Sequence, residues 1–165
     1  MNAWFQKRFN SDLAYWPAVL TLGVIVVVPS AALLWLSKAI VRLFESDPAA
    51  LVTVYTFPNW WVAVVMFVFG GPLIETALLA LVLRVMRPFG LSTSAMSCFS
   101  ALGWGLVHAI TSPVQFLHVV WGFYVFSRGY LAWLPKGQQQ AIGAAWIPHI
   151  MANAVAFASG LLLGT

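Results

Sequence analysis

The sequence predicts an all-α protein, a polytopic bundle of transmembrane helices. Hydrophobic residues make up 62% of the 165 residues and charged residues only 7%, whereas a soluble domain carries about 25% charged residues. Five apolar stretches approach or exceed the roughly 20 residues that a helix needs to cross a bilayer. Because no change of composition separates them into groups, one membrane domain over residues 1–165 is expected.

The five apolar stretches define the predicted helices, at residues 16–40, 57–86, 94–110, 114–134 and 141–163. Lys7 and Arg8 precede the first stretch as in a signal peptide, but the stretch exceeds the roughly 7–15 apolar residues of a signal peptide, so an uncleaved helix is expected. Pro29 predicts a kink in that helix. As a helix, the second stretch would be longer than the apolar core of a bilayer is thick. It is therefore expected to tilt or, as the alternative, to break at Gly70-Gly71-Pro72, which would give six spans.

The charged residues predict how the chain crosses the membrane. In a five-span arrangement one side holds six basic residues at span ends, namely Lys7, Arg8, Arg84, Arg87, Arg128 and Lys136. The other side holds Lys38 and Arg42, offset by Glu45 and Asp47. Because basic residues are enriched in cytoplasmic loops, the N-terminus is predicted to be cytoplasmic, with the C-terminus on the opposite side of a cell membrane. The net charge of +4 is therefore no indication of nucleic-acid binding.

Four polar side chains, Glu75, His108, His149 and Asn153, lie within the apolar stretches. A charged group at the bilayer centre costs roughly 2.5 kcal/mol or more, so such residues are functional candidates. His149 and Asn153 are four residues apart and share a helix face, from which both can donate to one oxygen atom. A carboxylate with a histidine partner is a natural general base for water. Alternatively, these groups are interhelical contacts that hold the bundle together, or they line a transport or proton pathway.

The remaining polar residues offer weaker candidates. His118 follows Gln115 by three residues and can share a helix face with it, which leaves a direct role open. Three histidines and one carboxylate can in principle ligate zinc, but no HExxH pair is present, and neither a metal nor another cofactor is predicted. Cys98 is the only cysteine, so neither an internal disulfide nor a cysteine-based metal site can form. Arg84 lies nine residues after Glu75, on the opposite helix face, and is not expected to neutralise it.

The order of these motifs resembles the CAAX protease and bacteriocin-processing (CPBP or Abi) family of intramembrane proteases. The family pattern is a proline shortly before Glu-Glu-x-x-x-Arg, then Phe-x-x-x-His, then His-x-x-x-Asn or His-x-x-x-Asp. The corresponding segments are residues 72–80 (PLIETALLA), 104–108 (WGLVH) and 149–153 (HIMAN). The third motif is intact and the second has tryptophan in place of phenylalanine. The resemblance covers residues 60–157, as a core within the membrane domain.

The resemblance implies an intramembrane endopeptidase that acts on a membrane-associated peptide or protein entering from the lipid, without an obligatory metal. Glu75 and His108 would activate water, and His149 and Asn153 would stabilise the oxyanion. We therefore expect these four side chains to converge from three helices on one cavity. A prenylated substrate would follow from the family name alone.

Two departures from the family pattern leave a second interpretation open. Thr76 stands where the family has its second glutamate, and Ala80 stands where it has arginine. Loss of both charges removes an ion pair, a change that can be nearly neutral for stability. The chain is thus interpreted as a divergent protease or, alternatively, as a catalytically inactive relative that serves as a membrane scaffold or immunity-type protein.

Overall fold

The computed structural model describes residues 15–44 and 59–163, and this part of the chain is helical without a strand. The five helices are α1 (Tyr15–Arg42), α2 (Trp60–Ala63, the π-helical Val64–Gly70 and Gly71–Met86), α3 (Thr93–Thr111), α4 (Phe116–Trp133) and α5 (Gln138–Leu163). Short 3-10 turns follow α2 at Arg87–Phe89, precede α4 at Pro113–Gln115 and follow it at Leu134–Lys136. The all-α prediction is therefore confirmed.

Three of the helices are long and apolar enough to cross a membrane: Tyr15–Arg42, Trp60–Phe89 and Gln138–Ser159. The helices α3 and α4 are shorter, with 19 and 18 residues, and are not among the three. These findings agree with a membrane protein, whereas the count of five spans stays a prediction. The charges at Lys7, Arg8, Glu45 and Asp47, on which the predicted orientation partly depends, lie outside the described residues.

At Gly70-Gly71-Pro72, where a break was the alternative to a single tilted helix, the structure has a change of helical register. Between Val64 and Gly70 the backbone is π-helical, and the helix then continues as an α-helix from Gly71. The N–H of Gly71 accordingly donates to the carbonyl of Met66, five residues earlier. A π segment of this kind is rare and is often found at functional sites. From Trp60 to Met86 the second apolar stretch is thus one continuous helix.

Helix α4 lies at the centre of the bundle, in contact with α1, α3 and α5. Its buried side chains include Phe123, Phe126 and Tyr130. A Cβ atom at Gly129 would lie 2.7 Å from the carbonyl oxygen of Ala144, so the backbones of α4 and α5 are in close contact there. Helix α2 packs mainly against α5. This arrangement places α4 behind the surface on which α2, α3 and α5 meet.

Arg128, one of the six basic residues in the predicted charge pattern, is buried in the bundle. It is 4% exposed, and its Nη1 donates to Thr93 Oγ1 at 2.9 Å and to Ser94 Oγ at 3.2 Å. These hydrogen bonds connect the second half of α4 to the first turn of α3. The bundle itself therefore solvates this charge, whereas the expectation that Arg128 helps to set the topology stays a prediction.

Candidate active site

Glu75 of α2 lies between two histidines from different helices. Its Oε1 is 3.7 Å from Nε2 of His108 on α3, and its Oε2 is 3.3 Å from Nε2 of His149 on α5. Three of the four candidates thus meet, as expected. The carboxylate is partly accessible, with 28% of the side chain exposed, whereas the His149 side chain is 6% exposed.

The position of Glu75 on α2 explains this partial access. The buried face of the helix is formed by Pro72, Thr76, Leu79, Ala80 and Leu83. Glu75 lies at the edge of that face, because Ile74 and Leu78 beside it are 58% and 45% exposed. The carboxylate can therefore contact the other helices while one side remains open to the surroundings of the bundle.

The hydrogen bonds of His108 determine which of its nitrogens carries a proton. Its Nδ1 lies 2.9 Å from the carbonyl oxygen of Trp104, one turn earlier. Since a carbonyl oxygen only accepts, Nδ1 is the donor. In the neutral ring Nε2 then presents a lone pair toward the Glu75 carboxylate, which also only accepts. A proton must therefore be placed between the two groups, either on one of them or on a third molecule that donates to both.

His149 contacts Glu75 through its Nε2, which lies 3.3 Å from Oε2 of the carboxylate. Because a carboxylate oxygen only accepts, Nε2 is the nitrogen that can donate to it, while Nδ1 has no hydrogen-bond partner among the described residues. The ring instead stacks on Phe126, with centroids 4.5 Å apart and planes at 23°. His149 is therefore placed to orient the carboxylate. The resemblance assigns it to the oxyanion, for which its N–H would have to leave Glu75.

The side chain of Asn153 is hydrogen-bonded to the backbone of α2. Its Nδ2 donates to the backbone carbonyl of Phe67 on α2, at 2.8 Å. In the π register each backbone N–H donates to the carbonyl five residues earlier, as the N–H of Gly71 does to Met66. The carbonyl of Phe67 would therefore accept from residue 72, but residue 72 is proline and has no N–H. Asn153 thus satisfies a carbonyl that Pro72 leaves without its helical partner. Because an amide nitrogen carries two hydrogens, one N–H of Asn153 remains for another acceptor.

A wall of aromatic rings on α4 lies behind the two histidines. Phe123 contacts His108 at 5.9 Å and His149 at 5.4 Å between ring centroids, and Phe126 stacks on His149. Sequence reasoning missed both phenylalanines, because nothing distinguishes them from other apolar core residues. The only available signal was their spacing of three residues, which puts both rings on one helix face.

The weaker candidates from the sequence, His118 and Gln115, are not part of the contact between Glu75 and its two histidines. His118 is half-buried on α4, whereas the two close contacts of Glu75 are with the other two histidines. Gln115 belongs to the 3-10 turn before α4, so the two do not share a regular helix face. Within the described residues no group of three or more histidine, cysteine or acidic side chains is arranged to hold a metal ion.

Two buried positions on α2 carry the departures from the family pattern. Thr76 is 1% exposed and Ala80 is 8% exposed, so both side chains face the core. The hydroxyl of Thr76 has no hydrogen-bond partner among the described residues. A glutamate and an arginine at these positions would be buried one turn apart.

An apolar cavity of about 420 Å³ lies between α1, α3 and α4. Its lining includes Leu33, Cys98, Leu102, Leu117, Trp121 and Tyr124. None of the four candidate site residues lines it, so this is not the shared cavity expected from the sequence.

Comparisons of the chain with protein-family models, with curated proteins and with solved structures found no match. The resemblance to the CPBP family therefore depends on the order of the three motifs. The contacts of Glu75 with His108 and His149 are a separate observation, made on the structure alone.

Proposed function

We propose that this chain is an intramembrane endopeptidase in which Glu75 and His108 activate water to hydrolyse a peptide bond of a membrane-associated peptide or protein. The observation that carries the proposal is the placement of one carboxylate within 3.3 and 3.7 Å of two imidazoles. Such a pair inside an apolar helical bundle is costly and is best explained by function. The order of the motifs along the chain supports the same activity.

The acceptor atoms of Glu75 and His108 suit the activation of water. A water molecule between Glu75 Oε1 and His108 Nε2 can donate a hydrogen to each. As its oxygen bonds to the peptide carbonyl carbon, the pair takes up one proton, which makes it a general base. When the tetrahedral intermediate collapses, the C–N bond breaks and the proton passes to the leaving nitrogen. In this scheme His149 keeps the carboxylate in place through the contact of its Nε2 with Oε2, at 3.3 Å.

The oxyanion of the tetrahedral intermediate requires a hydrogen-bond donor, and we assign this role to Asn153, as the resemblance implies. Its Nδ2 is anchored to Phe67 through one hydrogen, which leaves a second N–H in a fixed orientation. Preorganised donors of this kind stabilise the charge that develops in the transition state. In this scheme Asn153 keeps the role that the resemblance implies, and His149 acts mainly on Glu75.

The surroundings of Glu75 favour a substrate that approaches from the lipid. Leu73, Ile74 and Leu78 are 47%, 58% and 45% exposed, so the carboxylate lies beside an apolar outer surface of α2. In a membrane that surface would contact lipid chains. A hydrophobic or membrane-anchored peptide can reach the carboxylate from there without crossing the core.

The alternative is a catalytically inactive relative that serves as a membrane scaffold or immunity-type protein. The bond between Asn153 and Phe67 favours it, because this contact connects α5 to α2 without any catalysis. The replacement of two charged family positions by Thr76 and Ala80, both buried, favours it as well. In this interpretation the polar residues are interhelical contacts.

A cleavage assay with an isosteric control distinguishes the two functions. The protein is purified in detergent and mixed with a library of fluorescence-quenched hydrophobic peptides, beside Glu75→Gln and an exposed-site control, Ser159→Ala. We expect cleavage by the wild type and by Ser159→Ala, and none by Glu75→Gln. Cleavage by all three would contradict the assignment of Glu75. If neither the wild type nor the double variant Thr76→Glu, Ala80→Arg cleaves any peptide, the scaffold is the better interpretation.

A further inference from the structure

We infer that Phe123 on α4 is a positioning residue of this site, whose ring orients His108 and His149 so that both Nε2 atoms face Glu75. Its catalytic consequence rests on the proposed function, whereas the orientation itself is a property of the resting protein. Phe123 is 3% exposed and lies on α4, which contributes none of the four candidate site residues. It therefore acts through the imidazoles alone.

The ring of Phe123 is in contact with both imidazoles at once. The centroid of the His108 ring lies 5.9 Å away with the planes at 48°, and that of His149 lies 5.4 Å away with the planes at 76°. Tilted and edge-to-face arrangements at such distances are the favoured geometries of aromatic pairs. One side chain thus touches both partners of Glu75, although these partners come from different helices.

His108 is restrained by Phe123 directly and through Trp104. The backbone carbonyl of Trp104 holds Nδ1 of the imidazole at 2.9 Å. The indole of Trp104 stacks on Phe123, with centroids 4.5 Å apart and planes at 14°. A single hydrogen bond still allows the imidazole to tilt about it, and the flat face of Phe123 limits that tilt.

His149 depends on aromatic packing even more. In the part of the chain that the structure describes, only its Nε2 has a polar partner, and Nδ1 is buried without one. Its plane is therefore set by the stack on Phe126 and by the edge contact with Phe123. Phe126 in turn packs edge-on against Phe123, with centroids 5.5 Å apart and planes at 73°. Removing the Phe123 ring loosens both restraints on His149.

The distances at the carboxylate show why orientation matters for the reaction. The contacts of Glu75 with the two imidazoles measure 3.3 and 3.7 Å, so a small rotation of either ring changes whether a proton can be passed. A misplacement of about 1 Å can lower a rate by roughly 10²-fold. We expect the lower rate to appear in the chemical step rather than in substrate binding, because Phe123 is not at the surface where a peptide would bind.

The test replaces the flat ring without changing much volume. Phe123→Met removes the ring but keeps an apolar side chain of similar size. Phe123→Leu replaces it if Phe123→Met does not fold. Phe123→Tyr is the control that keeps the ring. Phe116→Met on the same helix is the matched control, since Phe116 packs near Gly105 and, among the described residues, the phenylalanines of α4 in ring contact with His108 or His149 are Phe123 and Phe126. The readouts are the ¹⁵N NMR signals of ¹⁵N-histidine-labelled protein in detergent, the melting temperature, and kcat and KM for any cleaved peptide. His118→Gln is added to every variant, so that the only histidine signals to assign are those of His108 and His149.

We expect Phe123→Met to change the imidazole signals of both His108 and His149, whereas Phe123→Tyr and Phe116→Met retain the wild-type signals. For a cleaved peptide we expect kcat of Phe123→Met to fall by roughly 10- to 100-fold, with KM nearly unchanged. A folded Phe123→Met or Phe123→Leu variant with wild-type imidazole signals would overturn the inference, even if it melts at a lower temperature. A protein that cleaves no peptide would contradict the proposed function. The NMR test of Phe123 would still decide the inference, because it needs no substrate.

Discussion

The side-chain amide of Asn153 on α5 donates a 2.8 Å hydrogen bond to the backbone carbonyl of Phe67 on α2. This contact joins the third motif of the chain to the π-helical segment that precedes the first motif. It exists because the π register points the Phe67 carbonyl toward residue 72, where proline offers no N–H. Asn153 is thus a structural residue in the resting protein, whether or not it also serves catalysis.

A double-mutant cycle tests the dependence of this contact on Pro72. Asn153→Ala alone leaves the Phe67 carbonyl without a donor, so we expect a loss of about 1–3 kcal/mol in the free energy of unfolding. Pro72→Ala supplies a backbone N–H that can bond Phe67 instead. In that background Asn153→Ala should therefore cost clearly less. Reversible unfolding in mixed micelles measures all four proteins, and strictly additive losses would show that residue 72 does not determine the partner of Phe67.

The roles of His149 and Asn153 in the proposed reaction can be separated by conservative changes. If His149 mainly orients Glu75, His149→Gln keeps a donor for Oε2 and should retain more activity than His149→Leu. Asn153→Ala removes a single oxyanion donor, which typically lowers turnover by about 10²–10³-fold, so a trace of cleavage should remain. The measurement is kcat on the best peptide found for the wild type. Equal loss in His149→Gln and His149→Leu would instead favour the oxyanion role that the resemblance implies.

Hydrophobicity alone was sufficient to predict the helices, because a long apolar stretch indicates a helix that could cross a membrane. The contact of Glu75 with two histidines was also predictable, since an acid in such a stretch requires polar partners. The environment of Asn153 was not, because it depends on a π register that no local pattern signals. Phe123 and Phe126 escaped prediction for another reason: their importance comes from ring contacts made in three dimensions by residues that look like ordinary core. The burial of Arg128 was not predictable, because hydrogen bonds from a cation to hydroxyl groups of another helix leave no pattern in the sequence around it.

Restoring the family charges on α2 tests whether the core can accept them. Thr76 and Ala80 are 1% and 8% exposed and lie four residues apart on one face. Thr76→Glu or Ala80→Arg alone buries an unpaired charge, so we expect a loss of roughly 3–5 kcal/mol in the free energy of unfolding. The double variant can form an ion pair and should lose less than the sum of the two single changes. Thr76→Gln with Ala80→Met, similar in size but uncharged, controls for volume, and an additive double variant would show that no pair forms.

The close contact between α4 and α5 can be tested with two glycines that differ in their surroundings. A Cβ at Gly129 would lie 2.7 Å from the Ala144 carbonyl oxygen, whereas a Cβ at Gly103 on α3 would meet nothing within 4 Å. Gly129→Ala must therefore push the two helices apart, and we expect it to cost about 1–3 kcal/mol. Gly103→Ala should be neutral or stabilise the protein by up to about 1 kcal/mol, because alanine favours helix more than glycine does. Unfolding of both variants under the same conditions measures the difference, and equal stability of the two would show that α4 and α5 are not packed as closely as their backbones indicate.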